Sequence, residues 1–262
     1  MTVAEAATEK NLNNFESIQY FSILKCLTNR LKNLINSAES SIQTPEHQIK
    51  LSLQRENSKI VYWNLIKSKK VKPSSEEKII NKFNKHLTDT EWNQIYSIPF
   101  SCTIEVKLRS FQFSINHLYY FSNDKLHRIG KSQTPNCTFC KTEIETVTHI
   151  FLYCPHVLSL WDYFEHIFIR LRGHISDIND LTKLIGFYKE IENKDYNIIN
   201  HILIVLKHFL HICRLKETQP SVAGFKARIL DTEYLERQIA TRKHKLECHT
   251  YKWEHLLNII HF

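Results

Sequence analysis

The stretch PNCTFCKTEIETVTHIFLYCP, residues 135–155, contains three cysteines and one histidine and decides the fold prediction for this chain. Cys137 and Cys140 form a C-x2-C pair, a spacing that lets two thiolates from one tight turn reach a Zn²⁺ ion at about 2.3 Å. His149 and Cys154 complete the pattern C-x2-C-x8-H-x4-C, the donor set of a closed Cys3His site. The sequence therefore predicts a zinc site made of Cys137, Cys140, His149 and Cys154.

The chain around these donors must bend to bring them together. His149 and Cys154 are five residues apart and would lie well off one another on a single α-helix, so we expect the helix to break there. Pro155 suits the first turn of a new helix, which leaves Cys154 at the junction. His156 and His166 are alternative ligands with less suitable spacing. Apolar side chains at spacings that fit beneath the metal are Ile144, Val147, Ile150, Phe151 and Trp161.

A site with four protein donors has no open position for water, which predicts a structural rather than a catalytic metal. The sequence contains no G-x4-GK[ST], G-x-G-x-x-G, G-x-S-x-G or H-E-x-x-H motif. The nearest pair of carboxylates, Asp177 and Asp180, lies in SDINDL, where acids suit a helix start. We therefore expect no catalytic residues, no enzyme activity and no small-molecule substrate.

Composition favours a folded, helical chain. Of the 262 residues, 42% are apolar and 11% aromatic, and only four are glycine, which leaves few positions for hairpin turns. The predicted fold class is all-α: a multi-helix assembly with a small central Cys-Cys-His-Cys segment.

Features of the same sequence bear on where the chain resides. The N-terminus MTVAEAATEK has no apolar run, and strongly apolar stretches such as 202–206 fall short of the roughly 20 residues that cross a bilayer. An odd cysteine count, seven, without a secretory signal predicts thiols or metal ligands in a reducing compartment, the nucleus or cytoplasm. No membrane association is expected. The cysteines outside the motif are expected to be small buried side chains: Cys26, Cys102, Cys213 and Cys248.

Positive charge points to a polyanionic partner. The formal net charge is +8 and the pI about 9.0. One basic set, Lys67, Lys69 and Lys70, follows Tyr62 and Trp63 and suits single-stranded nucleic acid, unless the rings are core and the lysines a solvated edge. The set flanking the cysteine motif is the better candidate, since a metal-pinned loop presents its cations with little ordering cost. That second set is Lys107, Arg109, Lys125, Arg128 and Lys131.

Three regions are predicted along the chain. Residues 1–88 form an N-terminal helical region, with an amphipathic helix or two over 12–36 and a polar linker near 37–58. Residues 89–172 form the zinc-binding domain, and residues 173–262 a C-terminal helical region. Pro73 to Ser75 mark a helix boundary.

The C-terminal region is predicted to contain a strongly apolar buried helix and then one long amphipathic helix over 221–257. Three histidines on the apolar helix, His201, His208 and His211, have no acid or thiol beside them in sequence. We interpret them as polar groups at the edge of the core.

Residues 111–161 resemble the zinc-binding domain found near the C-terminus of LINE-type, non-LTR retrotransposon polyproteins. In that family an aromatic helix with a histidine leads through an isoleucine-glycine turn into the cysteine cluster, then to a Cys-Pro step and a tryptophan. Fainter similarity extends to 91–100 and 220–229. The matching positions are Phe111, His117, Leu126, Ile129, Gly130, Cys137, Cys140, Glu145, His149, Cys154 and Trp161.

The resemblance implies a C-terminal remnant, domesticated copy or fragment of such an element. The paired-aspartate polymerase motif and the endonuclease module are not found in this sequence, so reverse-transcriptase activity is not carried over. We predict a non-catalytic, zinc-dependent nucleic-acid-binding tail, with RNA slightly favoured over DNA. The alternatives are a structural or protein-interaction module that docks a polymerase domain, and an inactive fragment.

Overall fold

The computed structural model of the chain describes residues 71–173, 178–189 and 194–260, together with four isolated positions upstream. The chain divides into two compact units, Met1–Lys72 and Pro73–Phe262, and nearly all described residues belong to the second. Outside the described residues lie the predicted helix and linker of the N-terminal region and three of the predicted cations, Lys67, Lys69 and Lys70.

The described part of the chain is helical, and it contains no β-strand beyond an isolated bridge between Asn136 and Ile144. This confirms the predicted all-α class. A π-helical turn, His149–Tyr153, and a 3-10 turn, Pro155–Val157, lie between the fourth and fifth helices. The helices are α1 Ser74–Phe83, α2 Asp89–Cys102, α3 Val106–Asn116, α4 Asn123–Arg128, α5 Leu158–Arg172, α6 Asp180–Ile185, α7 Lys194–Leu215, α8 Val222–Arg242 and α9 Leu246–Ile260.

Local sequence signals set several of these boundaries. Helix α1 begins directly after Pro73, as predicted. At the start of α2, Thr88 Oγ1 accepts a hydrogen bond from the Glu91 amide, and the Glu91 carboxylate accepts one from the Thr88 amide. This reciprocal capping box satisfies two amides that the helix itself leaves unpaired. Helix α5 ends at Gly173, whose φ of 80° places it in the left-handed region that glycine adopts at low cost.

Helix α7 is the centre of the second unit. It packs against α2, α3, α5, α8 and α9 and against the π-helical turn. Residues 202–206 are fully buried, and every one of them is Ile, Leu or Val. By length and composition Asp195–Leu215 would suffice to cross a membrane, although no uninterrupted apolar run of that length occurs in it. Since 72% of its most apolar 18-residue window is buried inside the fold, α7 is a core helix.

The predicted long helix over 221–257 is wrong, because the chain turns back between α8 and α9. His244 adopts φ 53°, and the Lys245 amide donates to the Ala240 carbonyl, which closes the end of α8. The turn lets α9 pack against α5 and α8 and bury Trp253 and Leu256 completely. The sequence RKHK that forms the turn carries no apolar side chain, so a continuous helix would have nothing to bury there.

The histidines of α7 lie deeper than predicted, and one has an acidic neighbour. His201 is fully buried and its Nε2 lies 3.9 Å from a carboxylate oxygen of Glu236 on α8. Burial lowers the pKa of His201 to about 3, with the positive charge of Lys252 adding to the effect and Glu236 opposing it. The imidazole is therefore neutral at pH 7, and the contact is not an ion pair. His208 is also buried, whereas His211 is half-buried.

Lys207 is a lysine with no exposed surface at the middle of this core helix. Its Nζ donates a hydrogen bond of 2.5 Å to the Leu184 carbonyl, which also accepts one from Nε2 of the Gln112 side chain. Burial lowers the pKa of Lys207 to about 7. Since the unfolded chain keeps this group protonated up to about pH 10.4, the unfolded state binds more protons between those values, and stability rises with pH.

We predict that the Lys207→Met variant is more stable than the parent at pH 7 and loses most of the rise in stability between neutral and alkaline pH. One proton per chain corresponds to about 1.4 kcal/mol per pH unit. Urea unfolding in zinc-containing buffer across that range measures the difference. Lys216→Met, which changes an exposed lysine just beyond the same helix, is the control. The same pH slope in parent and Lys207→Met would contradict the assignment.

Candidate metal centre

The first two donors lie on a tight turn that follows α4. The Lys141 amide donates to the Cys137 carbonyl at 2.9 Å, and the Cys137 amide donates to the Glu143 carbonyl at 2.7 Å. Lys141 adopts φ 61°, which sharpens the turn. These bonds fold the backbone around Cys137 and Cys140 so that both thiols face the same space.

The other two donors are joined by the π-helical turn. The Cys154 amide donates to the His149 carbonyl at 2.8 Å, a bond that spans five residues where an α-helix spans four. This wider turn brings His149 and Cys154 to the same side of the chain. Cys154 then leaves the helical region, with ψ 129°, and Pro155 begins the 3-10 turn. The predicted break at Cys154 and Pro155 is confirmed.

The four side chains converge on a single point. Their ligand atoms all lie within 4.8 Å of one another. Cys137 Sγ is 3.9 Å from Cys154 Sγ, and Cys140 Sγ is 3.4 Å from His149 Nε2. For tetrahedral donors at about 2.3 Å (sulfur) and 2.0 Å (nitrogen) from one ion, we calculate separations of about 3.5–3.8 Å. The cluster therefore fits one metal ion, and its cysteines are not joined as disulfides.

The electrostatics of the thiols also suit a cation. Burial raises the pKa of Cys137 to about 12 and raises that of Cys154. Burial would raise the pKa of Cys140 as well, but hydrogen bonds from Thr142, from the Glu143 amide and from His149 outweigh it and lower the value to about 6. One thiolate is thus favoured by the protein alone. The other two are costly to ionise without a positive ion beside them.

Most of the apolar side chains that were predicted to pack beneath the cluster are buried or partly buried. Ile150 and Phe151 are fully buried, and Trp161 is buried with its indole N–H donating to the Phe151 carbonyl at 2.7 Å. Val147 is partly buried against the core. Ile144 is the exception, because it is 55% exposed. It neighbours the buried Glu145 in extended backbone, where successive side chains point to opposite sides.

Glu145 is the acid that holds the cysteine turn in place. Its side chain is fully buried and accepts four hydrogen bonds through its two oxygens. One oxygen accepts from the Asn123 amide at 2.8 Å and from Arg214 Nε at 2.7 Å. The other accepts from the Thr138 amide and the Thr138 hydroxyl, at 2.8 and 2.7 Å. A buried carboxylate with this many donors is well compensated for its loss of water.

Arg214 carries this network to the core helix. It lies near the C-terminal end of α7, is 8% exposed, and donates a second bond from its guanidinium to the Asn123 side chain at 2.8 Å. The Asn123 amide group in turn donates to the Asn136 carbonyl at 2.8 Å, just before Cys137. The cysteine turn, α4 and α7 are therefore joined by one hydrogen-bonded set of side chains.

Sequence reasoning did not find Arg214 and identified Glu145 only through a family resemblance. The two residues are 69 positions apart. The position of Glu145 between Cys140 and His149 was the available signal in the sequence. No sequence pattern indicated that Arg214 is its partner.

The other cysteines and histidines that the structure describes lie outside the cluster. His156 and His166 are exposed and contribute no donor, although both were considered as ligands. Cys102 and Cys213 are buried, as predicted. Cys248 is exposed, contrary to prediction, because it lies on the outer side of α9. Cys26 lies outside the described residues.

The predicted cations near the cluster have different surroundings. Arg109 is engaged by the end of α2, where its Nε donates to the Thr103 carbonyl at 2.7 Å. Lys125 donates to the Leu118 carbonyl, and Arg128 pairs with Asp124 at 2.8 Å while remaining 66% exposed. Two cations are simply exposed: Lys107 and Lys131. Their role in binding stays a prediction.

The remaining acidic candidate has a structural role. Asp180 is the first residue of α6, where its carboxylate accepts a hydrogen bond from the Tyr153 hydroxyl at 2.8 Å. This confirms the helix-start interpretation for Asp180. Asp177 lies outside the described residues.

We predict that Glu145→Gln lowers the free energy of unfolding by on the order of 3 kcal/mol, because it leaves Arg214 buried without a counter-charge. Urea unfolding in zinc-containing buffer measures the loss. The matched control is Asp124→Asn, which removes the carboxylate of an exposed ion pair and should cost less than about 1 kcal/mol. Similar small losses in both variants would show that the buried pair does not organise the fold.

Comparison with known proteins agrees with this geometry. No curated protein matches the chain. A family model described as zinc-binding in reverse transcriptase matches residues 74–161, about one third of the chain. The match runs from α1 to the first turn of α5 and includes all four donors of the cluster. This segment of the chain is therefore similar to the zinc-binding domain of reverse transcriptases.

Proposed function

We propose that the chain is a non-catalytic module derived from a retrotransposon reverse transcriptase, which binds nucleic acid and is held in shape by one zinc ion. The observation that carries the proposal is the convergence of three thiols and one imidazole within 4.8 Å, inside the segment that matches the family model. The finer placement, as the C-terminal tail of a LINE-type element, rests on the resemblance of residues 111–161. A nuclear or cytoplasmic location is part of the same proposal.

Zinc is the metal that the donor set favours. Three thiolates and one imidazole in a tetrahedral arrangement are typical of structural Zn²⁺ sites, whereas Mg²⁺ and Ca²⁺ require oxygen donors. When bound, the ion would stabilise the thiolates of Cys137, Cys140 and Cys154. Since all four donors come from protein, its role is to fix the turn and the π-helical segment together.

Nucleic acid is the partner that the charge favours. The chain carries a formal net charge of +8, and Lys107, Arg128 and Lys131 are exposed within the segment that matches the family model. Lysine and arginine bind phosphates without regard to sequence and release counterions. We favour RNA slightly over DNA, since the parent enzymes act on an RNA template.

A second candidate function is docking of another protein, such as a polymerase domain. Three apolar side chains are exposed where α2 ends and α3 begins, namely Phe100 (64%), Ile104 (44%) and Val106 (69%). Exposed apolar groups close in sequence favour a protein contact. This candidate predicts a protein complex that high salt does not dissociate.

We predict that the purified chain binds one zinc ion and that Cys137→Ser binds none, with loss of helical signal from the surrounding segment. Metal analysis of the protein after dialysis and circular dichroism measure the two effects. Cys248→Ser is the matched control, because it removes an exposed thiol outside the cluster. Equal zinc content in all three proteins would contradict the assignment of the ligands.

We also predict that zinc-loaded protein binds single-stranded RNA with an affinity that falls steeply from roughly 50 to 200 mM salt. Removing zinc should weaken binding, since the cations then lose their fixed positions. Changing Arg128 and Lys131 together to alanine should reduce the salt slope on single-stranded RNA by about 1.4, roughly 0.7 for each lost phosphate contact. Fluorescence anisotropy with labelled RNA and duplex DNA measures each quantity. Absence of binding to both probes at low salt would overturn the proposal.

A further inference from the structure

A row of aromatic rings leads from the core of the second unit to its surface. At the inner end, Trp92 is 3% exposed and stacks on Tyr96 with ring centroids 5.7 Å apart. Tyr96 then stacks on His117 at 4.9 Å with the two rings parallel to within 1°. The row joins α2 to the end of α3, and none of these rings lies in the metal cluster.

The outer end of the row is open to solvent. The His117 ring lies 4.1 Å from the ring of Phe113 and 6.0 Å from that of Tyr119, which is inclined to it by 22°. Phe113 is 49% exposed and Tyr119 is 66% exposed. Apolar ring surface that ends a stack in this way can extend the stack to a further flat, aromatic group.

The rings are held in fixed positions by the backbone and by a buried acid. The Tyr96 hydroxyl donates to the Glu76 carboxylate at 2.9 Å. Two residues after the end of α3, Leu118 adopts the left-handed φ of 54°, and the Tyr119 amide donates back to the Ser114 carbonyl at 2.7 Å. Leucine adopts this conformation at an energetic cost that glycine would avoid. The turn fixes the backbone of Tyr119 and places its ring at the surface.

A lysine lies beside the outer end of the row. Lys125 donates to the carbonyl of Leu118, the residue between His117 and Tyr119. Burial lowers the pKa of Lys125, and the nearby positive charges of Arg128 and Lys78 lower it further, while Asp124 opposes them. Lys125 thus lies beside the exposed rings, with Arg128 and Lys78 close enough for their charges to act on it. A bound anion would reduce this repulsion.

We propose that Phe113, His117 and Tyr119 form a stacking platform for unpaired bases of a single-stranded nucleic acid, whose phosphates lie against Lys125. The inference rests on the proposed nucleic-acid-binding function and adds the strand type and the contact surface. Bases in a duplex are already stacked on one another, so they cannot cover a protein ring without unpairing. Stacking on aromatic side chains is tolerant of sequence because each base has a flat face.

The test compares the full-length, zinc-loaded protein with its Tyr119→Ala and Phe113→Ala variants on three probes. The probes are a labelled oligo(U) strand, an abasic strand of the same length, and a duplex of the same length. We expect tighter binding to oligo(U) than to the abasic strand, and a loss of about five- to a hundred-fold in oligo(U) affinity for each variant. Tyr119→Phe should retain parental affinity, since it keeps the ring. Tyr234→Ala, which removes a 59% exposed ring on α8, should have no effect.

The outcomes separate this inference from the function on which it rests. Tight oligo(U) binding that is unchanged in Tyr119→Ala and Phe113→Ala, or equal binding to the abasic strand, would overturn the platform and leave nucleic-acid binding intact. No binding of the parent protein to any probe would overturn both. Circular dichroism and thermal melting of each variant ensure that a loss of affinity is not a loss of fold, and both altered side chains are exposed enough for the variants to fold.

Discussion

The buried pair between Glu145 and Arg214 is the interaction on which the rest of the second unit depends. Each side chain is nearly or fully removed from water, and such charges are costly unless each is paired and hydrogen-bonded. The pair therefore forms only when the cysteine turn, the start of α4 and the end of α7 are all in place, because Asn123 and Thr138 supply the remaining donors. This condition makes the small cluster segment and the core helix fold together. A metal ion at the four donors would add its own constraint at the same turn.

The network also connects the candidate metal centre to the exposed aromatic surface. Glu145 fixes the first residue of α4 through the Asn123 amide, and α4 carries Lys125, whose amine is bonded to the Leu118 carbonyl beside Tyr119. If the cysteine turn became disordered, the position of Lys125 next to the proposed platform would therefore change. This path gives a physical reason why metal loading and nucleic-acid binding should be coupled.

The cluster could be predicted from sequence because its four donors lie within eighteen residues and zinc imposes their spacing. The break at Pro155 followed from local rules, as did the start of α6 at Asp180, where an acid suits the first turn. The partner of Glu145 could not be predicted, since Arg214 is 69 residues away and only tertiary packing brings it close. The turn at His244 was not predicted, because its polar residues could equally form the solvent-exposed face of a continuous amphipathic helix. The exposure of Ile144 could not be predicted either, because the sequence does not show whether Ile144 or the neighbouring Glu145 faces the core.

X-ray absorption at the zinc edge of the metal-loaded, full-length chain tests the central claim most directly. The account predicts one first shell of three sulfur donors at about 2.3 Å and one imidazole nitrogen at about 2.0 Å. That shell would match the convergence of Cys137, Cys140, His149 and Cys154. A shell dominated by oxygen and nitrogen, or one with fewer than three sulfurs, would show that the metal binds elsewhere and would contradict the account.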